Sequence, residues 1–405
     1  MIKYFLIGWL IACVFWAYSI VWIFDAINYY GAGNVLSSSI TMLLIAYVAV
    51  YFGIFLVAIK FFRDHKYRVF IIPSVFFLLE WLKSWVISGF PWLNLGILSE
   101  SLWGLLPVIG VSGTSFLIIM SIVLLFEKNQ AIIKRFTASL ILLVMLIGPG
   151  HYQNGGDEKM EITVIQPLTT NMERIINMTN KAESETVVWP EAVSMLDENI
   201  SKLVPEKIVI GGFFRQENTK TYTSAINLKT GHYYDKRNLV PFGEFQPFGT
   251  FLKGFNEFFN IPNSSLSHGD FNQRKSDWSA LICWELVFND TFTRRVKGTK
   301  YIVHMSNDKW YGSSMPPQHL KHAKARAVES NKWVVRATLD GISQIISPRS
   351  KESSAILERG QIGSITHEIT LNDVDTFYVK YGDTPLLIIS VLSLIFGIFF
   401  RKNEK

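Results

Sequence analysis

The sequence predicts a bundle of membrane-spanning α-helices joined to an α/β domain, and three observations carry that reading. The chain opens with uncharged runs longer than a bilayer requires. Its lysine- and arginine-rich links alternate with links that hold none. From His151 onward, short β-prone runs separated by polar loops replace the long apolar ones.

Hydrophobic residues make up 49% of the 405-residue chain and charged residues 18%, which is apolar for a soluble protein. Residues 4–24 and 26–59 carry no charge, and each exceeds the ~20 residues that cross a hydrocarbon core. No small-residue cleavage site follows the first run, so it reads as an anchor rather than a secretory signal. Further spans are expected at 69–90, 102–126, 132–149 and 384–400, about six in all. The fifth needs Lys134 and Arg135 to snorkel toward the interface.

Orientation follows from the basic residues. Lys3, the link KFFRDHKYR at 60–68, the link EKNQAIIKR at 127–135 and the terminal RKNEK all fall on one side, expected to be cytoplasmic. The links 25–35 and 91–101 contain Asp25 and Glu100 but no lysine or arginine. The expected organisation is therefore 1–150 as a transmembrane region of about five helices, 151–381 as an outer domain, and 382–405 as a returning helix with a cytoplasmic tail. Much of the net charge of +6 is accounted for by this topology, and no nucleic-acid partner is needed to explain it. Within the third span, Glu80 and Lys83 stand three residues apart, as a structural ion pair or as a contact to lipid headgroups.

In the outer domain the runs EITVIQ, TVVW, KIVIGGF, SALIC, KYIVHM and WVVRAT are mostly apolar throughout, as strands covered on both faces are. Helical patterns such as PPQHLKHAKARAVESN lie between some of them, which argues for an α/β domain. Three polar residues stand just after such strands: Glu191 in VVWPEAV, Lys236 in YYDKRNLVPFGEFQPF and Cys283 in LICWELVF. Alone, each has an ordinary reading, as a surface charge or a small buried hydrophobe. Together they supply a base, a cation for a developing oxyanion and a nucleophile, the parts acyl transfer requires. Cys283 is the outer domain's one cysteine, and Cys13 in the first span is no plausible disulfide partner for it. His319 and His322 lie i, i+3 on a helix without further ligands at metal spacing.

The segments VVWPEAV, DKRNLVPFGEFQPF, LICWE and SNDKWYG, in that order, resemble the nitrilase (carbon–nitrogen hydrolase) superfamily, whose triad is Glu-Lys-Cys. More narrowly the chain is similar to the bacterial apolipoprotein N-acyltransferase branch, and EWLKSWVISGFPWLNLG at 80–96 extends the likeness into the membrane region. The resemblance implies a four-layer α-β-β-α sandwich on the periplasmic side of the inner membrane. It implies Glu191 as general base, Lys236 as oxyanion stabiliser and Cys283 as nucleophile. Glu244 would orient the triad, Glu285 would stand near the nucleophile, and Trp284 would fill an aromatic place beside it.

The implied activity moves a fatty acyl group from a phospholipid, through a thioester, to the N-terminal amine of a lipoprotein, with membrane lipids as partners and no cofactor or metal. A membrane-tethered nitrilase-type amidase is the alternative, as is a conjugal-transfer protein with a retained or vestigial acyltransferase domain. The chain departs from the branch pattern in places. Two spans of the full-length family look absent at the N-terminus, and SPRS at 347–350 replaces an Asp-Pro-Xaa-Gly turn. Ile175 falls about where the branch has a substrate-facing tryptophan.

Overall fold

The computed structural model describes residues 1–29, 31–127, 131–147, 156–241, 243–245, 266–349 and 352–401. The expected boundary at 150–151, the end of the loop that follows Lys236, and the RKNEK tail beyond Arg401 lie outside the described residues. The chain divides into two compact units, one of Met1–Asp25, Gly33–Tyr152 and Lys380–Lys405, the other of Ala26–Ala32 and Gln153–Val379.

The first unit is helical. α1 (Ile2–Ser19) stops short of the expected span end at 24, because Ile20 leaves helical geometry at φ −122° and Ser19 bonds back to the Phe15 carbonyl. A short α2 (Trp22–Tyr29) follows, and from Ala26 to Ala32 the chain belongs to the second unit. Gly31 and Gly33 then take φ values of +85° and +75°, which only glycine adopts readily. α3 (Gly33–Phe62) runs 30 residues, about 45 Å at 1.5 Å per residue. A Cβ on Gly8 would stand 2.9 Å from the Phe52 carbonyl oxygen, and one on Gly53 would stand 2.9 Å from the Phe5 ring. α1 and α3 thus approach through small residues, the packing that favours association in lipid.

α4 (Arg68–Lys83) ends where the apolar run continues, and Ile87 and Ser88 beyond it adopt positive φ. Glu80 and Lys83 are both buried, and each turns to the segment that follows. Glu80 Oε1 accepts from the Leu95 amide (2.9 Å), while Lys83 Nζ donates to the Trp92 carbonyl (3.3 Å) and lies over the Trp16 ring. The pair therefore anchors the FPWLNL loop by its backbone. α5 (Leu106–Leu125) is broken at Gly110, and α6 (Ile132–Leu146) follows it. α1, α3 and α5 are long and apolar enough to cross a membrane, and a shorter apolar helix closes the chain at Thr384–Phe400.

Among the described residues the second unit holds two sheets. The first contains β1 (Lys159–Gln166), β2 (Thr186–Val188), β3 (Ser194–Met195), β4 (Ile208–Glu217), β5 (Lys220–Asn227) and β6 (Tyr233–Asp235). The second contains β7 (Trp278–Ile282), β8 (Tyr301–Ser306), β9 (Val334–Thr338) and β10 (Gln344–Ile346). The last strand, β11 (Gly363–Thr370), returns to the first sheet, whose order is β11–β1–β2–β4–β5–β6 with β3 beside β4. The second sheet runs β10–β9–β8–β7. β1, β2 and β4 are mutually parallel, as are β7, β8 and β9, and β11 pairs antiparallel to β1 from Lys159↔Thr370 to Gln166↔Gly363.

Every residue of β2, β7, β8 and β9 is buried, as parallel strands covered on both faces must be. α7 (Met172–Asn180) packs Ile175 against Val187, Trp189 and Phe213 of the first sheet's core. Ile175 is 0% exposed, so it presents no side chain to a substrate and does not stand in for a substrate-facing tryptophan. α8 (Asn289–Val296) and α9 (Met315–Ser330) supply Phe292, Val296, Leu320 and Ala323 to a second core with Leu281, Ile302 and Val334. The sheets are tied by Gln166 Oε1, which accepts from Thr338 Oγ1 (2.7 Å) and Ser343 Oγ (2.6 Å).

Candidate active site

Glu191, Lys236 and Cys283 each follow the carboxyl end of a strand, where open α/β sheets form their binding crevices. β2 leads through Trp189 and Pro190 to Glu191, and the Pro190 carbonyl accepts from the Gly212 amide. A Cβ at Gly212 would stand 2.6 Å from Glu191 Cα, so only glycine lets β4 pass this close to the turn. Lys236 extends the end of β6, with its amide bonded to the Thr223 carbonyl and its own carbonyl accepting from Gly269. Cys283 opens a tight helical turn directly after β7, with φ +49°.

The Lys236 ammonium is wholly buried and held between two carboxylates, 2.9 Å from Glu191 Oε1 and 2.8 Å from Glu244 Oε1. The second oxygen of each is occupied as well. Glu191 Oε2 accepts from the Asn307 amide (3.1 Å) and Glu244 Oε2 from the Val240 amide (2.7 Å). Burial opposes the charge on Lys236, but Glu191 and Glu244 outweigh it and hold the pKa well above the ordinary value. The same burial raises Glu191 to about 7 against the pull of Lys236, which poises it to exchange a proton near neutrality. Burial also pushes the Cys283 thiol up, with Glu191 adding to the rise and Lys236 opposing it. At rest the sulfur therefore keeps its proton, and the charged group that acts most strongly on it is Glu191.

Glu285 is held by donors from the two chain segments that carry Lys236 and Cys283. Its Oε1 accepts from the Tyr234 hydroxyl (2.8 Å) and from the amides of Arg237 (2.6 Å) and Asn238 (3.1 Å). Its Oε2 accepts from the Ile282 amide (3.0 Å). One carboxylate thereby fastens the chain just after Lys236 to the chain just before Cys283. Burial raises its pKa, while these donors favour the ionised form. Trp284 is buried with its ring edge-on to Phe288, centroids 5.8 Å apart.

Glu285→Gln is expected to destabilise this unit by about 2–3 kcal/mol, because either orientation of the amide turns an NH2 group toward amide donors. Thermal unfolding in detergent measures it. An unchanged melting temperature would mean that Glu285 already carries a proton.

Sequence reasoning missed a buried group on the far side of the nucleophile. His304 Nε2 and His319 Nε2 both reach the Cys283 carbonyl oxygen, and Arg336 and Asp308 bind the two imidazoles from behind. A single charge inside the apolar run WVVRAT, and a lone histidine inside KYIVHM, were the available signals.

Two family models match the chain: the apolipoprotein N-acyltransferase N-terminal domain over residues 2–124 and the carbon–nitrogen hydrolase domain over residues 206–378. Along nearly its whole length the chain is similar to proteins named apolipoprotein N-acyltransferase. That of Wigglesworthia glossinidia brevipalpis is 30% identical, with 94% of this chain and 86% of that protein covered. That of Pasteurella multocida is 27% identical, over 96% of this chain and 86% of that protein. That of Pseudomonas aeruginosa is 29% identical, over 94% and 84%.

Proposed function

Since the chain belongs to the apolipoprotein N-acyltransferase family, we propose that it transfers a fatty acyl group from a phospholipid to the N-terminal amine of a lipoprotein through a thioester on Cys283. The observation that carries this reading is the buried Lys236 ammonium bracketed by Glu191 and Glu244, with the Cys283 thiol under the influence of both Lys236 and Glu191.

In the first half-reaction Glu191 takes the thiol proton as Sγ attacks the ester carbonyl carbon. The negative charge that develops on the carbonyl oxygen is met by Lys236, a donor already in place and without water to reorganise. The intermediate collapses, the C–O bond breaks, and the leaving lysophospholipid oxygen takes the proton back from Glu191. In the second half an amine attacks the thioester and gives its proton to Glu191. The C–S bond breaks, and the proton passes to the departing thiolate. Each half has one nucleophile and one leaving group, so a single base serves both.

The finer architecture follows the same reading. The helical region at 1–150 and the terminal helix within 382–405 together make about six spans of a multi-pass protein of the bacterial inner membrane. Residues 151–381 form an α-β-β-α sandwich on the periplasmic side. The alternation of basic links supports that orientation, and a lipid-embedded body suits an enzyme whose donor and acceptor are both lipids.

The test is an assay in mixed micelles of phosphatidylethanolamine with a synthetic diacylglyceryl-cysteine peptide. The expected products, read by mass spectrometry, are a peptide acylated on its α-amine and one equivalent of lysophospholipid. Lysophospholipid with free fatty acid and unmodified peptide would make the protein a hydrolase, and no lysophospholipid at all would overturn the reading.

A further inference from the structure

The buried group beside Cys283 is given no step in the proton and acyl transfers above, yet it converges on the nucleophile, where Asp308 raises the thiol pKa and a hydrogen bond to Ser306 lowers it. Arg336, in the middle of β9, is 0% exposed, as are His304, Ser306, Asp308 and His319. Its Nε donates to the Ile342 carbonyl (2.9 Å), its Nη2 to Asp308 Oδ2 (2.7 Å), and its Nη1 meets His304 Nδ1 at 2.7 Å. Asp308 Oδ1 accepts from Ser306 Oγ (2.5 Å) and faces His319 Nδ1 at 3.3 Å, with Arg336 Nη2 at 3.4 Å from the same nitrogen. Beyond these contacts both rings turn Nε2 to one atom, the Cys283 carbonyl oxygen, at 3.3 Å from His304 and 3.2 Å from His319.

The chemistry of these groups assigns the protons. A carbonyl oxygen only accepts, so each Nε2 carries hydrogen. A guanidinium only donates, so His304 Nδ1 accepts from Arg336 and the ring is the neutral Nε2–H tautomer. Burial, and after it Arg336, disfavours a second proton on His304, while on His319 the same two effects are opposed by the Asp308 carboxylate. Two N–H groups on one carbonyl fix the plane of the peptide that joins Cys283 to Trp284. Cys283 needs that support, because a left-handed backbone strains a non-glycine residue and persists only where its surroundings over-determine it.

We propose that Arg336, Asp308, His304 and His319 form a positioning assembly that holds the Cys283 carbonyl and thereby aims the thiol at the acyl carbon. Arg336 acts through His304, and Asp308 orients Arg336 and faces His319. An apolar filling of similar volume would stabilise the fold as well as a buried charge network does. The role of this network lies in where it ends, on the nucleophile's own peptide. The proposal rests on the acyl-transfer reading, since it takes Cys283 as the nucleophile.

Two measurements test it. The first is 15N NMR of histidine-labelled protein in detergent. The His304 ring is expected as an Nε2–H tautomer that does not titrate between about pH 5 and pH 8, across the usual histidine range, and His304→Gln assigns it. That ring found protonated on Nδ1 overturns the proposal.

The second follows the rate and the amplitude of thioester formation on Cys283 with phosphatidylethanolamine. His304→Leu and His319→Leu, which lack the donor, are expected to slow the rate constant about 10–100-fold, the scale of a misplaced reacting atom. KM should stay within about twofold, while His304→Gln and His319→Gln, which keep an N–H for the carbonyl, recover most of the rate. Loss of folded protein lowers the amplitude and leaves the rate constant unchanged. Leucine variants that acylate at the unaltered rate overturn the positioning role alone. No thioester on the unaltered protein overturns the acyl-transfer reading first, and this role with it.

Discussion

Cys283→Ala is expected to abolish the acyl-enzyme and to lower acyl transfer by about 10⁴-fold or more, the scale seen when a covalent nucleophile is removed. The substitution deletes one sulfur from a wholly buried site and leaves the Lys236 bonds to Glu191 and Glu244 in place. Alanine also bears the left-handed backbone of residue 283 at much the same strain as cysteine. Stability and activity should therefore part company, with thermal unfolding shifted by no more than a few degrees. The direct readout is intact mass spectrometry after incubation with phospholipid. A hydroxylamine-labile fatty-acyl adduct should appear on the parent and not on the variant. Transfer by the variant at the parent's rate would place the nucleophile elsewhere.

Lys236→Met should fail on both counts. Methionine keeps the length and volume of the stem but removes the ammonium, so Glu191 and Glu244 lose the cation they share inside a buried site. Breaking one member out of a buried ion cluster costs about 3–5 kcal/mol, and one carboxyl then takes up a proton to escape its neighbour. For a unit of this size the melting temperature should fall by about 10 °C. Transfer should drop about 10³-fold even at temperatures where the variant is folded, because the donor for the oxyanion is gone. Thermal unfolding and acyl-transfer rates, measured on the same preparation, give the two numbers. A variant as stable as the parent and within tenfold of its rate would remove Lys236 from the mechanism.

Much of this arrangement was legible because chemistry and secondary structure leave marks in the same places. Glu191, Lys236 and Cys283 interrupt or end apolar runs, and a strand end is where a polar side chain reaches a crevice. The function of Glu285 was not legible in the same way. Three of its four partners are backbone amides, at Arg237, Asn238 and Ile282, and an amide carries no sequence signature. Arg336 is one charge in an apolar strand, and its meaning depends on Asp308 and His304, which only the parallel pairing of β8 with β9 brings beside it. In the helical unit, the end of α1 at Ser19 was hidden because Ile20 and Val21 are as apolar as the helix before them. Hydropathy reports where the chain avoids water, and a bend within such a stretch does not change the composition.

The pairing of β11 with β1 has a consequence for how the protein is made. β1 ends at Gln166 and its neighbour begins at Gly363, so almost the whole unit must be synthesised between one strand and the next. Until then β1 offers an unpaired edge, the kind of surface that recruits strands from other chains. Pairings so distant in sequence form slowly, because the loop they close must be ordered first. A chain cut short after Ile346 would keep Glu191, Lys236 and Cys283 yet leave β1, whose last five residues are buried in the intact protein, as the edge of the sheet.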